Sequence, residues 1–482
     1  KYLEIDTSNF SAKVNDTYEE NVSFVNKFNH STLEVDDKVY SMSQEAILCD
    51  GEVVMPYSAT YAVSFDFLYN SQLLFASDDK FVVLSKRLTD LIYVTYTAYT
   101  FDRAESNPNA GKTILTAGYL SRGGMENYTA NAISFFNQTN ENYFVKAVEY
   151  KINDEYDHGE GFDESDYNKY YLGQEDQAAN KLMLDILSGE GPDIILDTFN
   201  WSQLNSQGYL YDLSDVLNEI DVEVFDNVME AAKIDGKLYQ MPLSFNLKGM
   251  FADKWKIKGE SGFTFEEYAE YVDKGCNGHN PIYYGKVEFL TTCMASMREK
   301  FFDEDGNVSF QNDAFYELAK YCLDNVPEKD TYDPANASLE SSYYSYDFLD
   351  DIGSYLTVLG KGRNSTGFYG FPSLDGRGPS IGVEGSIAIS AAACDYDGAK
   401  EFLKVFFSSD SNRIFKEALC NPIVVSASDM ISKQNVDLNN KNYDSDLEWN
   451  TEAELAKMHI VRFDYDVIDD YNKLIRNAST IG

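Results

Sequence analysis

The stretch Gln177–Trp201, QAANKLMLDILSGEGPDIILDTFNW, holds a helix, a hard stop, a buried strand and an exposed aromatic loop. Leu182 with Ile186, and Met183 with Leu187, recur at the i, i+4 spacing of one helix face. Gly189 and Gly191 end that helix, and Pro192 keeps it from resuming. Ile194, Ile195 and Leu196 then form a short apolar run, which suits a parallel strand covered on both faces. Asp197, Thr198, Asn200 and Trp201 follow at the carboxyl end of that strand, the edge at which open α/β sheets bind ligands.

Working outward, a chain of 482 residues exceeds what one core holds, since single cores stop growing at about 250–300 residues. Its 39 Lys+Arg against 80 Asp+Glu give a formal net charge of -41. That balance repels phosphate backbones and anionic membrane surfaces, so no nucleic-acid partner is expected. The aromatic share of 15%, with 36 Tyr and 31 Phe, fits secreted, carbohydrate-facing or hairpin-rich surfaces without choosing among them. No apolar run is long enough to span a bilayer. The chain starts at Lys1 rather than Met, which reads as a mature product whose targeting segment has been removed. The six cysteines are dispersed and form no C-x-x-C, which favours free thiols over a zinc knuckle or redox motif.

Residues 1–105 differ from the rest. Short β-type runs at Glu52–Met55, Tyr61–Phe67, Leu73–Phe75, Phe81–Leu84 and Leu91–Thr100 alternate with turn residues such as Asp50-Gly51 and Ser77–Lys80. They predict a small all-β module of propeller-like hairpins. The polar Asp102–Lys112, DRAESNPNAGK, is the linker candidate. An α/β pattern follows. Thr113–Tyr119 and Tyr143–Ile152 are strand-like, around a helix whose face carries Met125, Tyr128, Ala132, Phe135 and Phe136. Asn153–Tyr170 reads as a solvated acidic insertion. With the opening stretch, this order predicts a parallel sheet. Downstream, Thr264 and Glu267 form a capping box, Gly275 a stop, and Asp397 caps a helix carrying Ala399, Phe402, Leu403, Phe406 and Phe407. Ile414, Phe415 and Leu419 mark another helix, and Glu452–Ile475 is helical again.

Four segments in order resemble the extracellular solute-binding proteins of ABC importers, family 1, the sugar-binding type. They are LSGEGPDIILD, DGKLYQMPLSFNLKGMFAD from Asp235 to Asp253, FTFEEYAEYVDK, and GVEGSIAISAAACDYDGAKEFLKVFFSSDSNRIF. The second contains the family's G-K-x-Y-x-x-P. The likeness covers roughly residues 112–482, and residues 1–105 have no counterpart in the ordinary family. It implies a periplasmic-binding-protein type II-like clamp of two α/β lobes, preceded by the β-rich module. Lobe 1 would be 112–241 plus 385–420, and lobe 2 would be 246–381 plus 423–482. The crossings would lie at Met241–Phe245, Ile381–Ser386 and Asn421–Ile423.

The same resemblance implies a ligand held between the lobes. Aromatic rings stack on the C–H-rich faces of sugars, while amides and carboxylates pair with hydroxyls. Trp201 is the expected stacking residue, with Asn200 beside it; a Trp packed on a lobe surface is the competing reading. Arg122 follows the first strand and competes with a capping or solvated role. Asn246 and Phe245 sit at the first crossing, Asn246 being the better contact. Glu384 lies at the second crossing, where it either accepts hydroxyls or bonds to backbone. Tyr343 and Tyr344 match the family's cleft loop by approximate position only, and surface tyrosines are the simpler account. Trp255 falls where the family has a packing helix and is expected in the core.

No catalytic residue, metal site or cofactor is expected. His30, His158, His279 and His459 form no local cluster, and G-x-S-x-G and P-loop patterns are absent. Asp303–Asn307 resembles a calcium-loop start, but position twelve is Ala314 where a Glu is needed. Asp347, Asp350 and Asp351 read as a solvated helix face. The resulting expectation is a monomeric, secreted or lipid-anchored binding protein of a Gram-positive-type envelope, not an enzyme. It would hand a small solute, an oligosaccharide by analogy, to a membrane ABC permease. A surface sensor or adhesin-type carbohydrate-binding module is the alternative, motivated by residues 1–105, and a glycoside hydrolase is the second.

Overall fold

The computed structural model describes residues 2–6, 11–15, 32–43, 46–57, 60, 71–88, 94–107, 109–120, 125–150, 164–199, 202–255, 257, 261–276, 278, 280–282, 285–301, 308–328, 348–362, 366–416, 418–458 and 460–479. The expected strand Tyr61–Phe67 lies outside them, as does most of the acidic insertion. The chain divides into two compact units, Lys1–Glu155 and Tyr156–Gly482.

In the first unit, β1 (Tyr2–Asp6) pairs antiparallel with β2 (Ser11–Asn15). A four-stranded meander follows: β3 (Thr32–Val35), β4 (Lys38–Met42), β5 (Ala46–Cys49) and β6 (Glu52–Pro56). Its turns place Asp36-Asp37 and Asp50-Gly51 at positive φ, the backbone that two-residue hairpin loops demand. β7 (Ser71–Ala76), β8 (Lys80–Leu88) and β9 (Val94–Asp102) make a three-stranded antiparallel sheet. Tyr40, Ile47, Leu73, Phe81 and Val83 come from both sheets and are buried in one cluster. Two sheets sharing a core therefore replace the expected propeller-like hairpins. The unit also holds β10 (Thr113–Leu120), the helix Asn127–Thr139 and β11 (Tyr143–Tyr150). β10 and β11 are parallel from Thr113↔Tyr143 to Leu120↔Tyr150. The buried Asn137 amide fixes the helix to β11, donating to Val145 O at 2.9 Å and accepting from Val145 N at 2.7 Å.

The second unit opens with the helix Glu164–Ser188. Glu164–Tyr170, read as part of a solvated insertion, is its first two turns. Ala178, Ala179, Leu182 and Ile186 are buried, whereas Leu187 is 61% exposed. The core stripe thus runs through Leu182 and Ile186, and the Met183/Leu187 pair lies beside it. Glu190 N–H donates to Asp185 O and Gly189 N–H to Ile186 O, a Schellman stop with Gly189 at φ 78°. At Gly191 a Cβ would come within 2.8 Å of the Ile186 backbone, so only glycine lets the chain pass so close.

β12 (Ile194–Leu196) follows, fully buried. Its partner β19 (Ser386–Ile389) runs antiparallel to it, Ile194 opposite Ile389. The expected parallel neighbour is not what flanks it on this side. A two-residue strand, β13 (Met241–Pro242), borders β19 on its other side, also antiparallel. A second sheet centres on β14 (Ser244–Lys248), which pairs antiparallel with β16 (Phe348–Leu349), β18 (Ser380–Val383) and β20 (Asn421–Pro422). β15 (Met250–Asp253) and β17 (Thr366–Tyr369) form a separate antiparallel pair. Among the described residues no helix is long and apolar enough to cross a membrane.

The chain therefore changes sheet twice, between β13 and β14 and between β18 and β19. The two changes lie side by side and are tied together. Leu243 N–H donates to Gly385 O at 2.8 Å, Glu384 N–H to Ser244 O at 3.0 Å, and Gly385 N–H to Ser244 Oγ at 2.9 Å. The next segment joins them through Ile423 N–H on Leu243 O at 3.1 Å. The Thr264–Glu267 capping box is formed as expected. The cap of the helix Tyr396–Phe406 is Asp395 rather than Asp397, because the Asp395 carboxylate accepts the Gly398 N–H. Ile414 and Phe415 are buried, but Leu419 is 61% exposed. Trp255, expected in the core, is 79% exposed beside Lys254. The thiols of Cys276, Cys293 and Cys322 are buried together with Tyr268 and Phe289 in one core.

The helix stripe makes a direct prediction. Leu182→Ala should lower unfolding free energy by about 2–5 kcal/mol, whereas Leu187→Ala should change it by less than about 0.5 kcal/mol. Comparable losses in urea unfolding of the two variants would contradict this orientation.

Candidate functional site

Two polar clusters flank the double change of sheet. The first lies where β12 ends. Asp197 takes positive φ (57°), a strained choice for a non-glycine residue. It is held by Ser386, whose carbonyl accepts the Asp197 N–H at 2.8 Å and whose N–H donates to the Asp197 carboxylate at 3.2 Å. Beside it the Gln240 side chain is almost wholly buried. Its Oε1 accepts from Thr198 Oγ1 at 3.0 Å and Ser386 Oγ at 3.1 Å. Its Nε2 donates to Thr198 O at 3.2 Å and Asn205 Oδ1 at 2.9 Å. Both lone-pair sites and both donors of the amide are engaged. Gln240 therefore welds the first crossing, the start of β19 and the segments either side of Asn200-Trp201 into one unit.

The second cluster lies on β14 and β18. Asn246, 8% exposed, donates from Nδ2 to Glu384 Oε1 at 2.7 Å. Asp350, just after β16, is half-buried. Burial pushes its carboxyl above the usual carboxylate range and the Asp351 charge pushes the same way, while hydrogen bonding to Glu384 and Asn246 pulls it back. Asn246 Oδ1 and Asp350 Oδ1 are buried acceptors with no hydrogen-bond partner. A buried acceptor left unmatched costs about 1–3 kcal/mol, so this corner is under-donated. It can satisfy itself on a ligand rich in O–H or N–H groups. Asn421 is the opposite case. Its amide donates to Phe245 O and Leu349 O and accepts from Tyr471 Oη, so it is fully used in holding β14, β16 and β20.

Of the residues singled out in the sequence, Asn246 and Glu384 are brought into contact. Phe245 is fully buried and packs edge-to-face on Phe225 at 5.7 Å, so it supports the crossing from within rather than facing an open surface. Arg122, Asn200, Trp201, Tyr343 and Tyr344 lie outside the described residues. The solvated-face reading of Asp350 and Asp351 is corrected. Asp351 accepts the Ser354 N–H at the start of the helix Ile352–Gly362, and Asp350 joins Asn246 and Glu384. Asp347 lies outside the described residues. Gln240 and Asp350 were missed. A lone amide inside the apolar run Leu238–Leu243 was the available signal for Gln240; nothing local marks Asp350.

Residues 169–420, just over half of the chain, match the sequence profile of the bacterial extracellular solute-binding protein family. Among solved structures, the chain is similar to a family 1 extracellular solute-binding protein of Alicyclobacillus acidocaldarius, at 16% identity over 78% of this chain and 88% of that one, with a TM-score of 0.48. The sugar-binding protein MalE of Xanthomonas citri matches at 14% identity over 76% and 96%, with a TM-score of 0.48. A family 1 extracellular solute-binding protein of Bifidobacterium longum subsp. infantis matches at 19% identity over 66% and 83%, with a TM-score of 0.44.

The Asp350 carboxyl makes stability depend on pH. With its folded-state pKa raised, its contribution is fully favourable below the unfolded carboxylate pKa of about 3.9. It is lost as pH rises through the folded value, because the unfolded chain releases the proton first. Asp350→Asn should therefore gain stability relative to the parent at about pH 7, with the difference closing as pH falls to about 4. A difference that stays constant across that range in urea unfolding would remove Asp350 as a strained acid.

Proposed function

The chain belongs to the bacterial extracellular solute-binding proteins, and from that premise we propose that it captures an oligosaccharide by closure about the double change of sheet. The observation that carries the reading is the under-donated corner at that hinge, where Asn246 and Asp350 each hold a buried acceptor without a donor beside Glu384. Sugar hydroxyls supply donors without bringing a charge that must be desolvated. The lobes are proposed as 112–241 plus 385–420 and 246–381 plus 423–482. Closure of such a clamp needs only a few residues to absorb the change in φ and ψ, and the stretch around Leu243 and Gly385 is suitably short. A ligand touching both lobes only when they close shifts the population to the closed form by those extra contacts. An ABC permease would then receive the closed, loaded form.

Trp201 and Asn200 follow the segment that Gln240 anchors, and they are proposed as the stacking platform and its neighbouring amide. Arg122, Tyr343 and Tyr344 are proposed as outer contacts. The protein acts as a monomer at the cell surface, carried by secretion or a lipid anchor, and binds without turning its ligand over. The β-rich first unit favours one second reading, a surface sensor or adhesin that uses the same clamp without a permease.

A thermal-shift screen across neutral oligosaccharides, polyamines and short peptides tests this. A ligand at 100 times its Kd should add about 2.7 kcal/mol to stability. Asn246→Ala and Trp201→Ala should each abolish most of that shift while the ligand-free transition of Trp201→Ala stays in place. Shifts from polyamines or peptides but from no saccharide would overturn the carbohydrate assignment, and any released product would overturn binding without turnover.

A further inference from the structure

The first unit carries a groove of about 1000 Å³ that the clamp reading does not use. It is lined by residues of β4, β5 and β6, the Ser77–Asp79 turn and the end of β9, with the helix Asn127–Thr139 contributing Ser134 and Gln138. Its apolar lining combines the aliphatic Val53–Pro56 stretch with four aromatic rings. Tyr40 and Phe81 meet edge-to-face at 6.0 Å. Tyr99 and Phe101, two residues apart and so on one face of β9, hold their rings within 13° of parallel with centroids 6.4 Å apart. Both are half-buried, and the exposed Val53 belongs to the same lining.

Around these rings the polar groups fall into two kinds. The cations are outnumbered: Lys38 and Arg103 share the lining with the carboxylates of Asp78, Asp79 and Asp102, and Lys38 pairs with Asp78 at 2.9 Å. They leave no uncompensated positive charge to select an anion. The uncharged amides differ. Asn109 lines the groove and holds a buried Oδ1 with no hydrogen-bond partner, and Gln138 belongs to the same lining. Parallel aromatic faces, an unmatched neutral acceptor and no excess of positive charge suit a ligand that is apolar on its faces and hydroxylated on its edges. The volume is at the upper end of the roughly 300–1,000 Å³ typical of small-ligand sites, which leaves room for more than one sugar ring.

We propose that this groove is a second saccharide site, which binds an uncharged glycan chain with a sugar ring against Tyr99 and Phe101 and a hydroxyl donating to Asn109 Oδ1. The site makes no use of the crossing residues and does not rest on the clamp reading. It gives the β-rich residues 1–105 a binding role of their own.

The test is native electrophoresis of the full chain in gels cast with soluble amylopectin, arabinoxylan, mixed-linkage β-glucan, galactomannan or polygalacturonate. At least one neutral polysaccharide should retard the parent protein. Tyr99→Ala should weaken that retardation about tenfold or more. Asn109→Ala, which removes an atom that bonds to nothing in the fold, should weaken it severalfold with an unchanged thermal transition, and so covers the case in which Tyr99→Ala does not fold. Asn246→Ala should leave the retardation intact while losing oligosaccharide binding at the clamp. The proposal is overturned by no retardation in any neutral gel, by retardation in polygalacturonate alone, or by full retardation of Asn109→Ala. Loss of retardation in Asn246→Ala would assign the binding to the crossing instead.

Discussion

The second unit depends on a short antiparallel contact between two crossings, centred on Ser244 and Gly385. Each crossing alone would be a single flexible strand between two sheets. The bonds from Leu243 N–H to Gly385 O, from Glu384 N–H to Ser244 O and from Gly385 N–H to Ser244 Oγ make them one ribbon. A paired ribbon bends as a unit but resists twisting, because twisting would strip backbone groups of partners in a buried place. Asn421 and Ile423 add a third chain to it, so the segment leading to the C-terminal helices is attached at the crossings. The polar clusters follow from this arrangement, since each crossing brings the end of one strand against the beginning of another from far along the chain.

Much of this was legible locally. The Schellman stop at Gly189, the buried Ile194–Leu196 and the Thr264–Glu267 capping box depend on residues within a few positions of each other, and each formed where it was read. What failed was set by distant partners. The spacing of Leu182, Met183, Ile186 and Leu187 contains two adjacent apolar stripes, and only the packing surface selects one. The antiparallel partner on one side of β12, β19, comes nearly two hundred residues later, out of reach of a local pattern. Asp350 looked like one of several surface acids because burial is conferred by β14 and the β18–β19 connection. Trp255 falls at the position of the family's packing helix, yet its ring lies along Lys254 at the surface. In the candidate site, Asn246 and Glu384 could be picked from their positions at the crossings, whereas Gln240 and Asp350 could not.

Charge shapes what the site can accept. The protein as a whole carries -41, and the crossing adds the carboxyl groups of Asp350 and Glu384. An anionic solute would meet both the long-range field and this corner as repulsion. A neutral polyol meets neither, and it is indifferent to salt because it carries no charge for ions to screen.

The three thiols buried around Tyr268 have a consequence for where this core can persist. Burial lifts Cys293 well above the ordinary thiol range and Cys322 to about 11. At neutral pH both stay protonated, and the protonated sulfur is a poor nucleophile toward disulfides and oxidants. Enclosed among Tyr268, Phe289 and Leu318, they are sealed from reagents as well as deactivated. Once this core has closed, an oxidising medium has no purchase on them, and the core needs neither a disulfide nor a reductant to persist. The vulnerable interval is the one before closure, so the speed with which this aromatic core packs decides how much of the chain escapes mispairing.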